Sequence, residues 1–386
     1  MNTFLLNLTM IDYTIAWSFG SICLAAIVSY SSYPMIIKVS KLKQLMDEPG
    51  HRSSHAVKTP NLGGVGIFLG VITVLTFVGS LLSYNNLLCL IGALIVLFFT
   101  GLKDDLVEIS PIKKMAGQIV ASLCVICITD LRIHSFFGLF GIAELPYIAS
   151  IIVTLFTFIV VINAFNLIDG VDGLAASLAI VASAILAILF YINGNDSMLF
   201  IALSLIGSLS SFLFFNFSKS KKVFMGDTGS MIIGFLMAYL GVSFLHQNHP
   251  LESLSFMQNA PLFVIAIFSF PLMDTLRVFI IRISQRKSPF VADKNHIHHN
   301  LLALGFAHWQ IAVTASVFVI AMAVMTYNLN GMDMHLSFLI LIAVTFVFSV
   351  APHMLLKVTK QNKNYKNTYL DNYKVFKNAD KNPNVQ

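Results

Sequence analysis

Five short polar stretches interrupt an otherwise apolar chain, and each carries residue types suited to handling a cation or a phosphate. The densest runs Asn163-Ala-Phe-Asn166-Leu-Ile-Asp169-Gly170-Val-Asp172-Gly173, with long apolar runs on both sides. Asn163, Asn166 and Asp169 recur every three residues, so one helix turn is expected to present all three on one face. Carboxylates at a membrane helix end are costly unless they meet a cation, water or a donor. Gly170 and Gly173 permit a turn or a close backbone approach. The plainer reading is a helix end with Asn and Asp caps. Four such side chains between Asn163 and Asp172 exceed what capping needs, which favours function.

The other four stretches are less specific one by one. Lys58-Thr-Pro60-Asn-Leu-Gly63-Gly64 offers a cation for a phosphate and a backbone that a ligand can approach, although glycines also pack membrane helices. The polar run His51 to His55 before it reads as a solvated linker. Lys103-Asp104-Asp105-Leu-Val-Glu108 sets two carboxylates side by side, which suits a magnesium ligand or a general base; a charged helix end is the bland alternative. Lys222-Val-Phe224-Met-Gly226-Asp227-Thr228-Gly-Ser230 places Asp227 and two hydroxyls where a helix begins, a natural metal–phosphate position, with Phe224 able to stack on a base. An N-cap aspartate beside a packed phenylalanine is the alternative. Asp293-Lys-Asn-His296-Ile-His298-His299 brings three histidines into four residues. Zinc is disfavoured there, with no cysteine and no fitting fourth ligand nearby, and the histidines read as phosphate or sugar partners. Asn216, after Phe214-Phe215, suits a helix cap and a ligand contact equally. Asp274 and Arg277, three apart, suggest an intrahelical ion pair.

What could position these stretches follows from composition. The chain has 386 residues, of which 57% are hydrophobic and only 11% charged, with mean hydropathy +0.81. A soluble domain carries roughly 25% charged residues, so the fold class is an all-α membrane protein. Apolar runs of near-spanning length fall at about 14–36, 62–82, 87–101, 114–130, 147–163, 173–192, 198–216, 229–245, 259–282, 309–328 and 335–356, giving a bundle of about eleven transmembrane helices. With eleven crossings, every one of the 24 lysines and arginines except Arg132 falls on one side. The positive-inside rule then puts the N-terminus outside and the C-terminus in the cytoplasm. Residues 1–356 form one polytopic domain, and 357–386 a basic cytoplasmic tail, expected to start as a surface helix and end in disorder. Gly138, Gly141 and Pro146 suggest a hairpin in the long outer loop. All four cysteines lie in apolar runs, so Cys124-Val-Ile-Cys127 reads as packing. The first apolar run lacks a basic flank ahead of it, so no cleavable signal peptide is expected. On this layout all five polar stretches share the cytoplasmic face.

In that order and on one face, the stretches resemble the polyprenyl-phosphate N-acetylhexosamine-1-phosphate transferases, a superfamily that includes the enzymes initiating enterobacterial antigen and wall teichoic acid and, more distantly, the phospho-MurNAc-pentapeptide translocase. The resemblance runs from about Asp47 to Trp309. Lys58 to Gly64, Asp104-Asp105, Asn163 to Gly173, Asp227-Thr-Gly-Ser and His296-Ile-His298-His299 carry it, and the last is closer to the GlcNAc-type branch. Two positions depart from the family pattern. Glu108 stands where relatives often carry a third aspartate, and Phe217 follows Asn216 where they often carry proline.

The resemblance implies a reaction between UDP-N-acetylhexosamine and undecaprenyl phosphate that releases UMP and starts a lipid-linked surface polysaccharide. It implies Mg²⁺, with Mn²⁺ as substitute, and a multi-pass protein of the bacterial cytoplasmic (inner) membrane. GlcNAc-1-phosphate is the favoured group, with GalNAc or a 6-deoxy amino sugar as alternatives. Asp227 and Asp169 are expected to hold the metal. Asp104 would deprotonate or orient the lipid phosphate, with Asp105 in support. Lys58, His296, His298 and His299 would meet phosphate and sugar. Asn163, Asn166, Asp172, Asn216 and Phe224 would shape the nucleotide pocket. A homodimer is an open assembly, and no nucleic-acid partner is expected. Two other classes compete. CDP-alcohol phosphotransferases need an arginine that Asp172-Gly-Leu-Ala-Ala lacks. A flippase or transporter would place its polar groups near the bilayer midplane.

Overall fold

The computed structural model describes residues 2–47, 59–82, 86–248, 254, 256–286 and 296–379. Lys58, the run His51 to His55 and Asp293 lie outside them.

A bilayer offers no partners to backbone N–H and C=O groups, so long apolar runs must satisfy them internally as helices. The described helices are α1 (Asn2–Lys43), α2 (Gly63–Leu82), α3 (Leu87–Leu106), α4 (Pro111–Thr129), α5 (Tyr147–Ile168), α6 (Leu174–Ile192), α7 (Asp196–Asn216), α8 (Gly226–Gln247), α9 (Ala260–Ile267), α10 (Ser269–Ser284), α11 (Ile297–Ala303), α12 (His308–Asn328) and α13 (Met334–Ala379). Nine are long and apolar enough to cross a membrane singly. The pair α9 and α10 supplies a tenth, and α2 is a further apolar helix of 20 residues. Each of the eleven expected segments therefore falls on a helix or a helix pair, and the protein is an all-α polytopic membrane protein.

Three expectations are corrected. The segment 259–282 is not one straight helix: α9 and α10 meet at Phe268 with a 76° bend. Pro271 explains the position, because it has no N–H for the carbonyl of Ile267, where α9 ends, and its ring crowds that carbonyl. α1 extends well beyond 14–36 at both ends. The last segment runs past 335–356: α13 continues from Met334 through Pro352 to Ala379, so the helix expected at the start of the tail is an extension of that span. The expected hairpin near Gly138 is present, with Ser135 bridged antiparallel to Glu144 around a tight turn at Leu139–Gly141.

α8 is the post around which the site is built. Every residue from Thr228 to Leu245 is buried, so its polar first turn is delivered into protein rather than lipid. The entry to α2 is stapled to it. Gly63 N–H donates to the Phe224 carbonyl at 2.9 Å, Gly64 N–H to that of Met225 at 2.8 Å, and Phe224 N–H to that of Pro60 at 2.8 Å. Only glycine fits at position 64, where a Cβ would fall 2.6 Å from Gly229 Cα. A two-residue antiparallel pairing of β1 (Met46–Asp47) with β2 (Thr59–Pro60) ties the end of α1 to the same place.

Candidate active site

The ends of α3, α5, α7 and α8 enclose a cavity of about 590 Å³. Asp104, Asp105, Asn166, Asp169, Asp172, Asn216, Phe224, Asp227 and His299 all line it, as does Glu108. Residues separated by up to 195 positions thus converge, and five of the ten are aspartates. A cavity with this many carboxylates is stable only if cations and donors answer them.

The first answer is backbone. Asp105 sits at the end of α3 against the start of α8. It accepts Asp227 N–H at 2.7 Å, Thr228 N–H at 3.0 Å and the Thr228 hydroxyl at 2.6 Å. It therefore caps α8 from a neighbouring helix and meets the positive end of that helix's dipole. Gly226, with φ +72°, lets this approach occur, since a Cβ there would lie 2.7 Å from an Asp105 oxygen. Asp105→Asn puts an amide N–H₂ among those donors. It should lower stability by about 2 kcal/mol, seen as a lower thermal midpoint in detergent, and should reduce turnover less than replacement of Asp227.

The second answer is Lys114, on the first turn of α4. Its ammonium lies 3.1 Å from Asp104 Oδ2 and also bonds Asp227 Oδ1. Asn166 donates to the same Asp227 oxygen at 2.5 Å and to Ser230 Oγ at 2.8 Å. Asp104 Oδ1 accepts Ile109 N–H at 2.9 Å, which fixes the turn leaving α3. One cation thus joins the aspartate of α3 to that of α8.

The third answer is at the far wall. Asp172 Oδ2 lies 2.7 Å from Lys222 Nζ and 2.8 Å from His308 Nδ1. Burial pushes the Asp172 carboxyl up, but the hydrogen bonds and charge of His308 and Lys222 outweigh it and hold the group below the ordinary carboxylate range. Lys222 also stands over the Phe224 ring, 5.2 Å from its centre. Asp169 is the opposite case. Burial first, then the charges of Asp227, Asp105 and Asp172, push its carboxyl well above the usual range. It sits in negative potential, the environment a divalent cation would relieve.

Three predicted residues do not reach the cavity. Asn163 donates its amide to Gln118 Oε1 at 2.9 Å and to the Ile159 carbonyl at 2.8 Å. A three-residue step along an α-helix rotates the side chain by about 60° from the last, so two steps carry Asn163 round toward α4 and away from Asp169. His296 and His298 are 5% and 1% exposed and face Asp274 rather than the cavity. Burial pushes His298 down to about 3, so it is neutral. Asp274, expected to pair with Arg277 in its own helix, instead gives its carboxylate to His296 and the Ile297 amide. Asn216 both lines the cavity and clamps the following loop, donating to the Val223 carbonyl at 2.8 Å, while its Oδ1 is buried without a hydrogen-bond partner. Phe217 has a local reason: its ring covers Gly173, which has φ +75° and no room for a Cβ.

Sequence reasoning overlooked Lys114 and His308. Lys114 did carry a signal. A lysine on the first turn of a helix opposes the dipole and needs a carboxylate to justify it. His308 carried none beyond its place at a helix start.

The sequence model for glycosyl transferase family 4 matches residues 87–245. A Haemophilus influenzae protein named undecaprenyl-phosphate alpha-N-acetylglucosaminyl 1-phosphate transferase is 30% identical over 317 residues, covering 79% of this chain and 86% of that protein. A Bacillus subtilis protein named probable undecaprenyl-phosphate N-acetylglucosaminyl 1-phosphate transferase is 29% identical over 325 residues, covering 82% and 87%. A Mycobacterium leprae protein named decaprenyl-phosphate N-acetylglucosaminephosphotransferase is 28% identical over 316 residues, covering 76% and 79%.

Proposed function

The chain belongs to the polyprenyl-phosphate N-acetylhexosamine-1-phosphate transferase family, and we propose that its carboxylate-lined cavity joins a UDP-linked amino sugar to a polyprenyl phosphate. The protein is a membrane phosphotransferase that moves GlcNAc-1-phosphate onto polyprenyl phosphate. In our reading the donor is UDP-GlcNAc, the acceptor undecaprenyl phosphate and the leaving group UMP. An acceptor oxygen forms a bond to the phosphorus that carries the sugar, and the bond from that phosphorus to the UMP oxygen breaks. One observation carries this reading: Lys114 bridges Asp104 and Asp227, so a group suited to the acceptor phosphate and one suited to the donor pyrophosphate share a single cation.

The placement of the acids also favours transfer over transport. They gather at one end of the bundle, whereas a transporter collects its polar groups near the midplane. The basic residues flanking that end argue for its facing the cytoplasm of a bacterial inner membrane, where a UDP-sugar is available.

The cavity fits a hard divalent cation such as Mg²⁺. Its donors are carboxylate oxygens, and Asp169 is held in uncompensated negative potential. Asp169 and Asp227 would hold the ion, which when bound would neutralise pyrophosphate charge. The chain's own residues do the rest. Lys114 supplies a fixed positive charge between the two phosphates. Asp104 orients the acceptor, and Asn166 fixes the rotamer of Asp227. Phe224, backed by Lys222, offers a face for the base, and His299 reaches the cavity from α11.

Purified protein in detergent, given UDP-GlcNAc, polyprenyl phosphate and Mg²⁺, should release UMP. Omitting either the lipid or the cation should stop release. UDP-GalNAc should support slower turnover than UDP-GlcNAc. No release from any UDP-amino-sugar would sink the reading.

A further inference from the structure

Asp274 is fully buried in α10, yet the reaction just described gives it no part. Both its oxygens are engaged. Oδ2 lies 2.8 Å from His296 Nδ1, and Oδ1 accepts Ile297 N–H, the first amide of α11, at 2.7 Å. Against a carboxylate the histidine nitrogen is the donor, so the proton of His296 sits on Nδ1. His298 Nδ1 stands 3.8 Å from the same Oδ2.

The three ligand-type atoms lie within 4.8 Å of one another, which raises the question of a metal. The rings argue against one. His296 and His298 are stacked at 14°, with centroids 5.2 Å apart. A metal lies in the plane of each imidazole that binds it, and two stacked, nearly parallel planes do not meet at a common ion. The 2.8 Å separation is also that of an ordinary hydrogen bond.

The geometry instead describes a bracket. Just beyond the bend at Phe268, Asp274 captures the entry to α11 by one side chain and one amide. That capture fixes where the next residues go. His298 Nε2 faces Gly170, where a Cβ would fall only 3.0 Å away. His299 enters the cavity. We propose that Asp274, acting through His296 and the first turn of α11, is the positioning residue that aims His299 at the donor substrate. His296 is then part of the bracket rather than a substrate ligand. This inference rests on the reading of the cavity as the UDP-sugar site.

Asp274→Asn keeps the shape but offers a single acceptor to two donors. It should lower kcat/KM for UDP-GlcNAc by ~30-fold, the scale of one lost charge-assisted hydrogen bond, and leave KM for polyprenyl phosphate within about twofold. A diffuse structural defect would move both. His296→Asn retains an N–H near the Nδ1 position and should stay within about fivefold of the wild type. His296→Ala should match Asp274→Asn, and the two combined should lose no more than about twofold beyond either alone. Should Asp274→Asn fail to fold, the His296 pair decides the matter. Asp274→Asn with unchanged kcat/KM, losses that multiply, or His296→Asn as damaged as His296→Ala would each overturn the inference. Inactivity of the wild type with every UDP-amino-sugar would instead refute the proposed function, so the two failures are distinguishable.

Discussion

Asp227→Asn should cut UMP release by at least ~10³-fold while leaving the fold intact, the scale lost when a main electrostatic contact to a transferring phosphoryl group is removed. The substitution changes charge and almost nothing else. Asn has the same shape, and the backbone N–H of residue 227 stays with Asp105. Asn166 retains Ser230 as a partner. What disappears is the negative charge that Lys114 bridges to Asp104 and, in the proposed function, the carboxylate that would hold a cation with Asp169. Steady-state UMP release and a thermal melt in the same detergent check the two halves of the expectation. Near-normal turnover would show that Asp227 is an N-terminal helix residue with no share in the chemistry. A collapsed melting curve would show that its charge supports the fold, and would leave Asp104→Asn as the test of the site.

Much of this site is legible in the sequence, and the reason is burial. A polar residue in a chain this apolar is expensive, so clusters such as Asp104-Asp105, Asp169 to Asp172 and Asp227-Thr228 stand out without any structure. The alternation of basic loops then sorts them to one end. The losses are of two kinds. Helical phase defeated Asn163: a three-residue spacing looks like one face, but the drift over two steps turns the first side chain to another neighbour, here Gln118. Partnership across the bundle defeated the histidine segment and Lys114. His296 looks like a ligand contact until a carboxylate from α10, 22 residues away, takes its Nδ1–H, and His298 is buried beside that same carboxylate. Lys114 looks like one more residue of a basic loop until α4 is packed beside α3 and α5. Which partner answers a charge is a property of packing, and no local window contains it. The bend at Phe268 was legible in principle through Pro271, but an apolar run reads the same whether straight or broken.

Lys114→Met should lower kcat by ~10²-fold, and the half-saturating Mg²⁺ concentration should not rise. The first half follows from what Lys114 separates. Two carboxylates that share one ammonium repel by a few kcal/mol at an effective dielectric of about 20, and the lysine screens Asp104 from Asp227 while offering the incoming phosphates a positive charge. Methionine fills the same volume and does neither. The second half follows from sign. Removing a cation beside a cluster of carboxylates makes the site more negative, which strengthens its hold on a divalent ion even as the phosphates lose their partner. Loss of kcat without loss of cation affinity would therefore place Lys114 on the phosphates. A variant whose rate returned to the wild-type value at high Mg²⁺ would place it in assembly of the metal site instead. Lys114→Arg separates charge from geometry. It keeps the positive charge but spreads it over a planar fork longer than the ammonium, so it should recover part of the lost rate. If arginine fails as badly as methionine, the site depends on the compact ammonium that reaches both Asp104 and Asp227 at once, and the cavity has no tolerance in the distance between its two phosphate-facing walls.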